Sequence, residues 1–288
     1  MEIKGIKAKL VDVFAHGKLT GNGLTIFWEC PPLSTQEMQV LTQEMRQFES
    51  IFVEREPETN RFKARIFTME EELDFAGHPL LGLAAHLHEE YGTQERHEWD
   101  VALRSTTVRL MSHAKEDYYS ASMEQGAPQF ISTLKPSETL EVLSALNLGE
   151  ENMAAMPPEV ISTGLPYLIV PVISGIEQAR ITTRDFESLL NRYGAKFAYV
   201  LDVNTLEGRT WDNEGKVEDI ATGSAAGPAG AFLFKAERAS GNTPFQISQG
   251  RRVGRPSKID VCLEVNKGVI SNIIVSGDVH KIASITFE

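Results

Sequence analysis

The sequence predicts an α+β protein of two pseudo-symmetric lobes, each a curved, mostly antiparallel sheet wrapped around a central apolar helix, with an active-site cleft between them. Three observations predict it. One order of elements (strand, helix, strand, strand, apolar helix) occurs twice along the 288 residues. Each round ends in a helix of small and apolar residues, the pattern of a helix that is buried rather than amphipathic. Both of these helices are also entered in the same way. Arg65-Ile66-Phe67-Thr68 leads to Phe75-Ala76-Gly77-His78-Pro79, and Arg209-Thr210-Trp211 leads to Glu218-Asp219-Ile220-Ala221-Thr222-Gly223-Ser224.

In the first round, Ala8 to Phe14 alternates as a strand, and Gly21-Asn22-Gly23 is read as the turn into a second strand, Leu24 to Trp28. Ser34 with Glu37 forms a capping box that opens a helix bearing Met38, Leu41, Met45 and Phe48 on one face. Glu49 stands at the helix exit, before the strand Ile51-Phe52-Val53, and Phe62 to Thr68 is the next strand. The apolar helix then runs from Pro79 to about Glu90. In the second round, Tyr167 to Val172 is a strand. Thr183 caps a helix from Arg184 to Tyr193 that stops at Gly194. Phe197 to Leu201 and Leu206 to Trp211 are strands, and Ala225 to Lys235 is the second apolar helix. Ile259 to Val265, Val269 to Ser276 and His280 to Phe287 close the chain, with turns read at Asn266-Lys267-Gly268 and Gly277-Asp278. A helix near Pro136 to Leu146 belongs to the junction or to the second lobe. The lobes are placed at residues 1–118 and 119–288, with the final strand, 278–288, able to return to the first.

Composition removes several functions. A formal net charge of −12 argues against nucleic acid, which requires a basic surface. No segment reaches the ~20 apolar residues of a membrane span, and the first residues lack a signal peptide's apolar block. Two cysteines give neither a disulfide framework nor metal-type spacing. The expectation is a soluble, cytoplasmic protein without a metal site.

The paired helix starts carry the functional signal. Unpaired N–H groups and the positive end of the helix dipole favour an anion there. Two such ends, one per lobe, suggest a cleft holding a small acidic metabolite.

Val11-Asp12-Val13-Phe14, Gly21-Asn22, Arg65 to Thr68, Phe75 to Pro79, Ser162-Thr163-Gly164-Leu165-Pro166, Glu218 to Gly227 and Gln249-Gly250…Gly254-Arg255-Pro256-Ser257 together resemble the phenazine-biosynthesis (PhzF-like) isomerase family. The resemblance implies a diaminopimelate-epimerase-like fold, a homodimer, and an isomerase without cofactor that shifts a proton on a small carboxylated ring such as a dihydro-hydroxyanthranilate. It also implies that the family's catalytic glutamate falls on Glu49. The other cleft residues fall on His78, Asp219 and Ser224, with the backbone of Gly77 and Gly223 near the ligand. Four positions depart from the family pattern: Phe48 for Ser, Ile220 and Met69 for Pro, and Gly23 for Pro.

Read without the resemblance, Glu49 fits a solvated helix-terminal glutamate better than a catalytic one, and His78, Asp219 and Ser224 fit a packing histidine, a dipole-complementing acid and an ordinary cap residue. The apolar neighbours Phe48, Ile51 and Phe52 nonetheless suit a carboxylate tuned for proton transfer. Thr222 is read as a helix cap. A two-thiol racemase is excluded because Ala76 and Thr222 stand at the helix starts and Cys30 and Cys262 lie elsewhere. The glycines at 223, 227 and 230 fit neither a dinucleotide fingerprint nor a P-loop. His86 and His88, two apart on a helix, are read as surface residues, and Glu70-Glu71-Glu72 as a solvated turn. The alternatives are a catalytically silent metabolite-binding protein and an epimerase of this fold acting without thiols.

Overall fold

A computed structural model describes residues 3–56 and 61–288, which form two compact units, Met1–Glu124 with Ser276–Glu288, and Gln125–Val275. Unit 1 is a ring of strands. β1 (Lys7–Val13) pairs antiparallel with β2 (Asn22–Trp28), and β2 runs parallel to β3 (Glu49–Arg55). The crossover between β2 and β3 is α1 (Thr35–Met45), whose start carries the full capping box: Ser34 accepts from the Glu37 amide and Glu37 accepts from the Ser34 amide. β3 pairs with β4 (Phe62–Thr68), which carries the short β5 (Glu72–Leu73) on one side and runs parallel to β6 (Arg96–Ala102) on the other. β6, β7 (Thr107–Ala114) and β8 (Tyr119–Glu124) follow as antiparallel neighbours. The last strand, β16 (Val269–Thr286), pairs with β8 and with β1, from Lys7↔Thr286 to Val13↔Val279, and so closes the ring.

Inside the ring lies α2 (Gly77–Tyr91), packed against β1, β2, β3, β6, β7 and β8. Enclosure on all sides explains its composition and corrects one expectation. His86 and His88 are not surface residues; both are buried. His86 stacks at 4.9 Å on Trp28 and lies 3.1 Å from the buried Lys9 ammonium, which also binds Glu89 and Glu90. His88 contacts Ser112 Oγ at 2.8 Å and the Gln94 carbonyl at 3.0 Å. Burial next to Lys9 pushes the His86 imidazole down to about 3, so it is neutral.

Unit 2 repeats the order around α5 (Gly223–Lys235), which packs on β10 (Glu159–Ser162), β11 (Pro166–Val172), β12 (Phe197–Asp202) and β15 (Ser257–Asn266). Its strand order is β16, β15, β14 (Phe245–Gln249), β13 (Glu207–Arg209), β12, β11, β10, β9 (Gln129–Thr133). As in unit 1, a parallel pair (β11 and β12) is followed by an antiparallel one (β12 and β13) and then the apolar helix. α3 (Pro136–Ala145) and α4 (Phe186–Asn191) bury Val142, Leu143, Phe186 and Leu190 in a second layer with Val160, Leu168 and Val200.

Several sequence expectations need correction. No turn occurs at Gly277-Asp278: β16 is continuous for 18 residues. Gly277 is there because a Cβ would stand 2.4 Å from the Phe14 ring. Asn22-Gly23 already belongs to β2, opposite Val13 and Asp12, and the connection occupies residues 14–21. The fourth helix starts at Phe186 after Asp185, with no side-chain cap from Thr183. Glu72 is drawn out of solvent by Arg65, which grips it at 2.7 and 2.6 Å.

Candidate active site

Glu49 is the first residue of β3, not a helix-terminal glutamate. α1 ends with Arg46 in the left-handed region (φ 53), and three residues later the chain enters the ladder with Glu49 opposite Leu24 on one side and Thr68 on the other. Strand alternation then sends Glu49 and Ile51 toward the interior and Ser50 and Phe52 away from it. Phe52 duly packs with Phe27, Leu41 and Phe67 on the α1 side. Glu49 meets the start of α2, where His78 Nδ1 stands 2.9 Å from Glu49 Oε2, with side-chain exposures of 5% and 11%. The contact is at ion-pair distance without hydrogen-bond alignment. A buried carboxylate beside a buried imidazole can take, pass and return a proton.

α2 begins with Gly77, His78 and Pro79, after Ala76, which supplies no side-chain cap. Pro79 lacks an N–H and suits the first turn. The segment before it is anchored by the Arg65–Glu72 fork. Arg65 also bonds Thr35 Oγ1 at 2.8 Å and lies 5.2 Å from the centre of the Phe67 ring.

Unit 2 uses the same anchor. Arg209 grips Glu218 at 2.9 and 2.6 Å and stands 4.7 Å over the Trp211 ring. It is more buried than Arg65, and its Nη1 donates to the carbonyls of Ile176, Glu177 and Ala179. Asp219 follows the fork. Its Oδ2 accepts from Thr222 Oγ1 at 2.5 Å, and the Ala221 amide reaches Oδ1 at 3.4 Å. Thr222 occupies the N-cap position of α5 but makes no side-chain cap bond, because its hydroxyl is turned to Asp219. Gly223 is buried, and Ser224, the second helical residue, exchanges a hydrogen bond of 2.9 Å with the Tyr167 hydroxyl.

The two units therefore share their anchors and differ in their chemistry. Register aligns Arg65 opposite Phe52 and Arg209 opposite Val200, so the position of Glu49 in unit 1 is that of Phe197 in unit 2. His78 and Ser224 hold the same second helical position. In unit 1 the fold brings together Glu49, His78 and Gly77; in unit 2 it brings together Asp219, Gly223 and Ser224. Sequence reasoning gave no role to Tyr167, Tyr199, Gln249 or the Arg–Glu forks. The forks were discoverable, since each half has an arginine leading its strand and a glutamate seven or nine residues later.

Other chemistries find little support. Burial pushes the Cys30 thiol up to about 11 and raises that of Cys262, which is the wrong direction for a thiolate base. Among the described residues no group of three or more His, Cys, Asp or Glu could hold a metal ion, and no helix is long and apolar enough to cross a membrane.

Residues 11–281 match the family model for phenazine biosynthesis-like proteins, PhzC-PhzF. A trans-2,3-dihydro-3-hydroxyanthranilate isomerase from Pseudomonas aeruginosa is 31% identical over 93% of this chain and 94% of its own length. A solved structure described as a predicted epimerase, also from Pseudomonas aeruginosa, is 42% identical, with a TM-score of 0.92 over 98% of this chain and 99% of its own. A phenazine biosynthesis protein of the PhzF family from Bacillus anthracis, 20% identical, has a TM-score of 0.84 with 99% of each chain covered, a likeness of fold.

Proposed function

Because the chain belongs to the phenazine biosynthesis-like (PhzC-PhzF) family of isomerases, we propose that it shifts a proton on a small carboxylate-bearing metabolite, with Glu49 as the general acid/base and no cofactor. The observation that carries this reading is the buried Glu49–His78 pair at the uncapped start of α2. Glu49 removes a proton from a substrate carbon and returns it to another. His78, at 2.9 Å, balances the charge as Glu49 cycles between its two forms. In unit 1 the amide at Gly77 favours negative charge on the substrate, since that helix start is not capped by a side chain. In unit 2 we take Asp219 as the acid that orients or polarises the substrate and Ser224 as a ligand donor, beside the Gly223 amide at the uncapped start of α5. Burial of Glu49 keeps water from the proton in transit.

The test uses the relative's substrate. The protein and its Glu49→Gln variant are incubated with trans-2,3-dihydro-3-hydroxyanthranilate in heavy water and the ring protons followed by NMR. Isomerisation by the parent is expected to fall by roughly 10²-fold or more in Glu49→Gln, with an unchanged thermal melt. Equal activity in both would remove Glu49 from the mechanism. Inactivity of both, with ligand-induced thermal shifts intact, would leave a metabolite-binding protein.

A second reading is a thiol-free epimerase, favoured by the 42% identity to the predicted epimerase. The same NMR experiment on chiral carboxylic acids separates the two. Epimerisation returns hydrogen to the carbon that lost it, with inversion, whereas isomerisation puts it on a different carbon and moves the double bond, a difference the spectra show whether or not deuterium is taken up.

A further inference from the structure

We propose that Gln249 is a positioning residue for this reaction: its side-chain amide fixes the direction of the Thr222–Asp219 hydrogen bond and thereby holds Asp219 Oδ2 as an acceptor. The inference rests on the reading of Asp219 as a substrate-facing acid and names what orients it.

Gln249 is the last residue of β14 and is 1% exposed. Two backbone groups, neither with a choice of role, set its amide. The Thr222 N–H can only donate, and reaches Oε1 at 3.2 Å. The Asp219 carbonyl can only accept, and receives Nε2 at 2.9 Å. Oε1 also accepts from the Tyr199 hydroxyl at 3.1 Å, and burial, reinforced by the charge of Asp219, raises the pKa of that phenol and keeps it a donor.

With the amide's orientation set, Nε2 also faces Thr222 Oγ1 at 2.9 Å, so the hydroxyl has to accept there. Its single proton must point elsewhere, and the partner is Asp219 Oδ2 at 2.5 Å. The donors thus run in one direction, from Tyr199 to Gln249 to Thr222 to Asp219. The same amide clamps both ends of the segment from Asp219 to Thr222, so Gln249 fixes where the carboxylate sits as well as which oxygen accepts. A hydroxyl bonded to a charged carboxylate is among the stronger hydrogen bonds, and a misplaced catalytic acid loses rate rather than affinity.

Three variants test this. Gln249→Glu replaces the donor with an acceptor of the same size, which turns the Thr222 hydroxyl away from Asp219. Thr222→Val removes that hydroxyl, and because Thr222 makes no cap bond no capping is lost. Thr222→Ser keeps it. With the dihydro-hydroxyanthranilate as substrate, Gln249→Glu and Thr222→Val are each expected to lower kcat roughly 10- to 100-fold with KM within about twofold. Thr222→Ser should retain nearly parental kcat, and the Gln249→Glu/Thr222→Val double variant should be no worse than Gln249→Glu alone, since that substitution already turns the Thr222 hydroxyl away from Asp219. Parental kcat in both Gln249→Glu and Thr222→Val, or losses that multiply, would overturn the proposal. If Gln249→Glu fails to fold, the contrast between Thr222→Val and Thr222→Ser decides. Should the parent turn nothing over, the proposed reaction has failed, and a substrate-free readout decides the hydrogen-bond direction. A Thr222 hydroxyl proton that exchanges slowly in the parent and fast in Gln249→Glu supports it; solvent-rate exchange in the parent overturns it.

Discussion

Glu49 and His86 show what burial does to single residues in opposite ways. Glu49 is held at the mouth of a strand with an imidazole within reach, a placement suited to moving a proton. His86 lies within α2, against Lys9 and Trp28, and is kept from protonating. Its folded pKa is depressed from 6.5 to about 3, so below about pH 6.5 the unfolded chain takes up a proton that the folded chain refuses. The stability that depends on neutral His86 is therefore complete above that pH and drains as pH falls toward 3, by at most ~1.4 kcal/mol per pH unit. Urea unfolding at about pH 7 and about pH 5 should show this loss. A His86→Gln variant, less stable at neutral pH, should show a flatter dependence; a profile as steep as the parent's would mean other groups govern acid lability. Residue type alone could not distinguish His86 and His88 from surface histidines, because His is polar and the enclosing strands come from distant sequence.

Among elements, the apolar helices and the Arg–Glu forks carry the repeat. Gly82 of α2 faces Leu24, where an added Cβ would stand 2.4 Å from Leu24 Cδ2, with Val13 and Val11 at 3.2 and 3.3 Å. Alanine would gain ~1 kcal/mol of helix propensity but overpack a closed interior at a cost of ~1–3 kcal/mol. Gly82→Ala should consequently lower the urea midpoint; a raised midpoint would show that Leu24 has room to move. The forks predict a second contrast. Arg65 is partly exposed, and Arg65→Ala should cost about 1 kcal/mol or less. Arg209 is buried with Glu218 and three carbonyls as partners, and Arg209→Ala should cost ~3–5 kcal/mol because those groups lose their donor. Equal losses in calorimetry would contradict the distinction. At this scale much was legible in the sequence: the capping box of α1, the limits of β4 and the two apolar helices follow from local patterns. Strands β6 to β10 and β14 were not identified, since their patterning is weak and their identity comes from their neighbours.

At the scale of the whole chain, the return of β16 matters most. Unit 1 is made of the first 124 residues and the last 13, and the ladder between β1 and β16 closes its ring. Removing residues 279–288 would open that ring, expose the edge of β1, and uncover the interior around α2. Limited proteolysis of the truncated chain should release fragments of residues 1–124 first, while Gln125–Val275 persists. Survival of unit 1 without the strand would mean that the closing ladder contributes little. The continuous strand also accounts for a misreading, because Gly277-Asp278 has turn composition but serves packing against Phe14.

From its sequence alone, this protein's fold class, its repeat and its family were determined, and Glu49, His78, Asp219 and Ser224 were named as candidates, because each is written in local pattern or in motifs that occur in order. Only the tertiary structure decided that Glu49 begins a strand and touches His78, and that the Thr222 hydroxyl serves Asp219 rather than the helix end. It also decided that Gln249 holds that pair from 27 residues away. The physical reason is that hydrogen-bond direction and burial depend on which distant strands close around a side chain, and spacing along the chain carries no record of them.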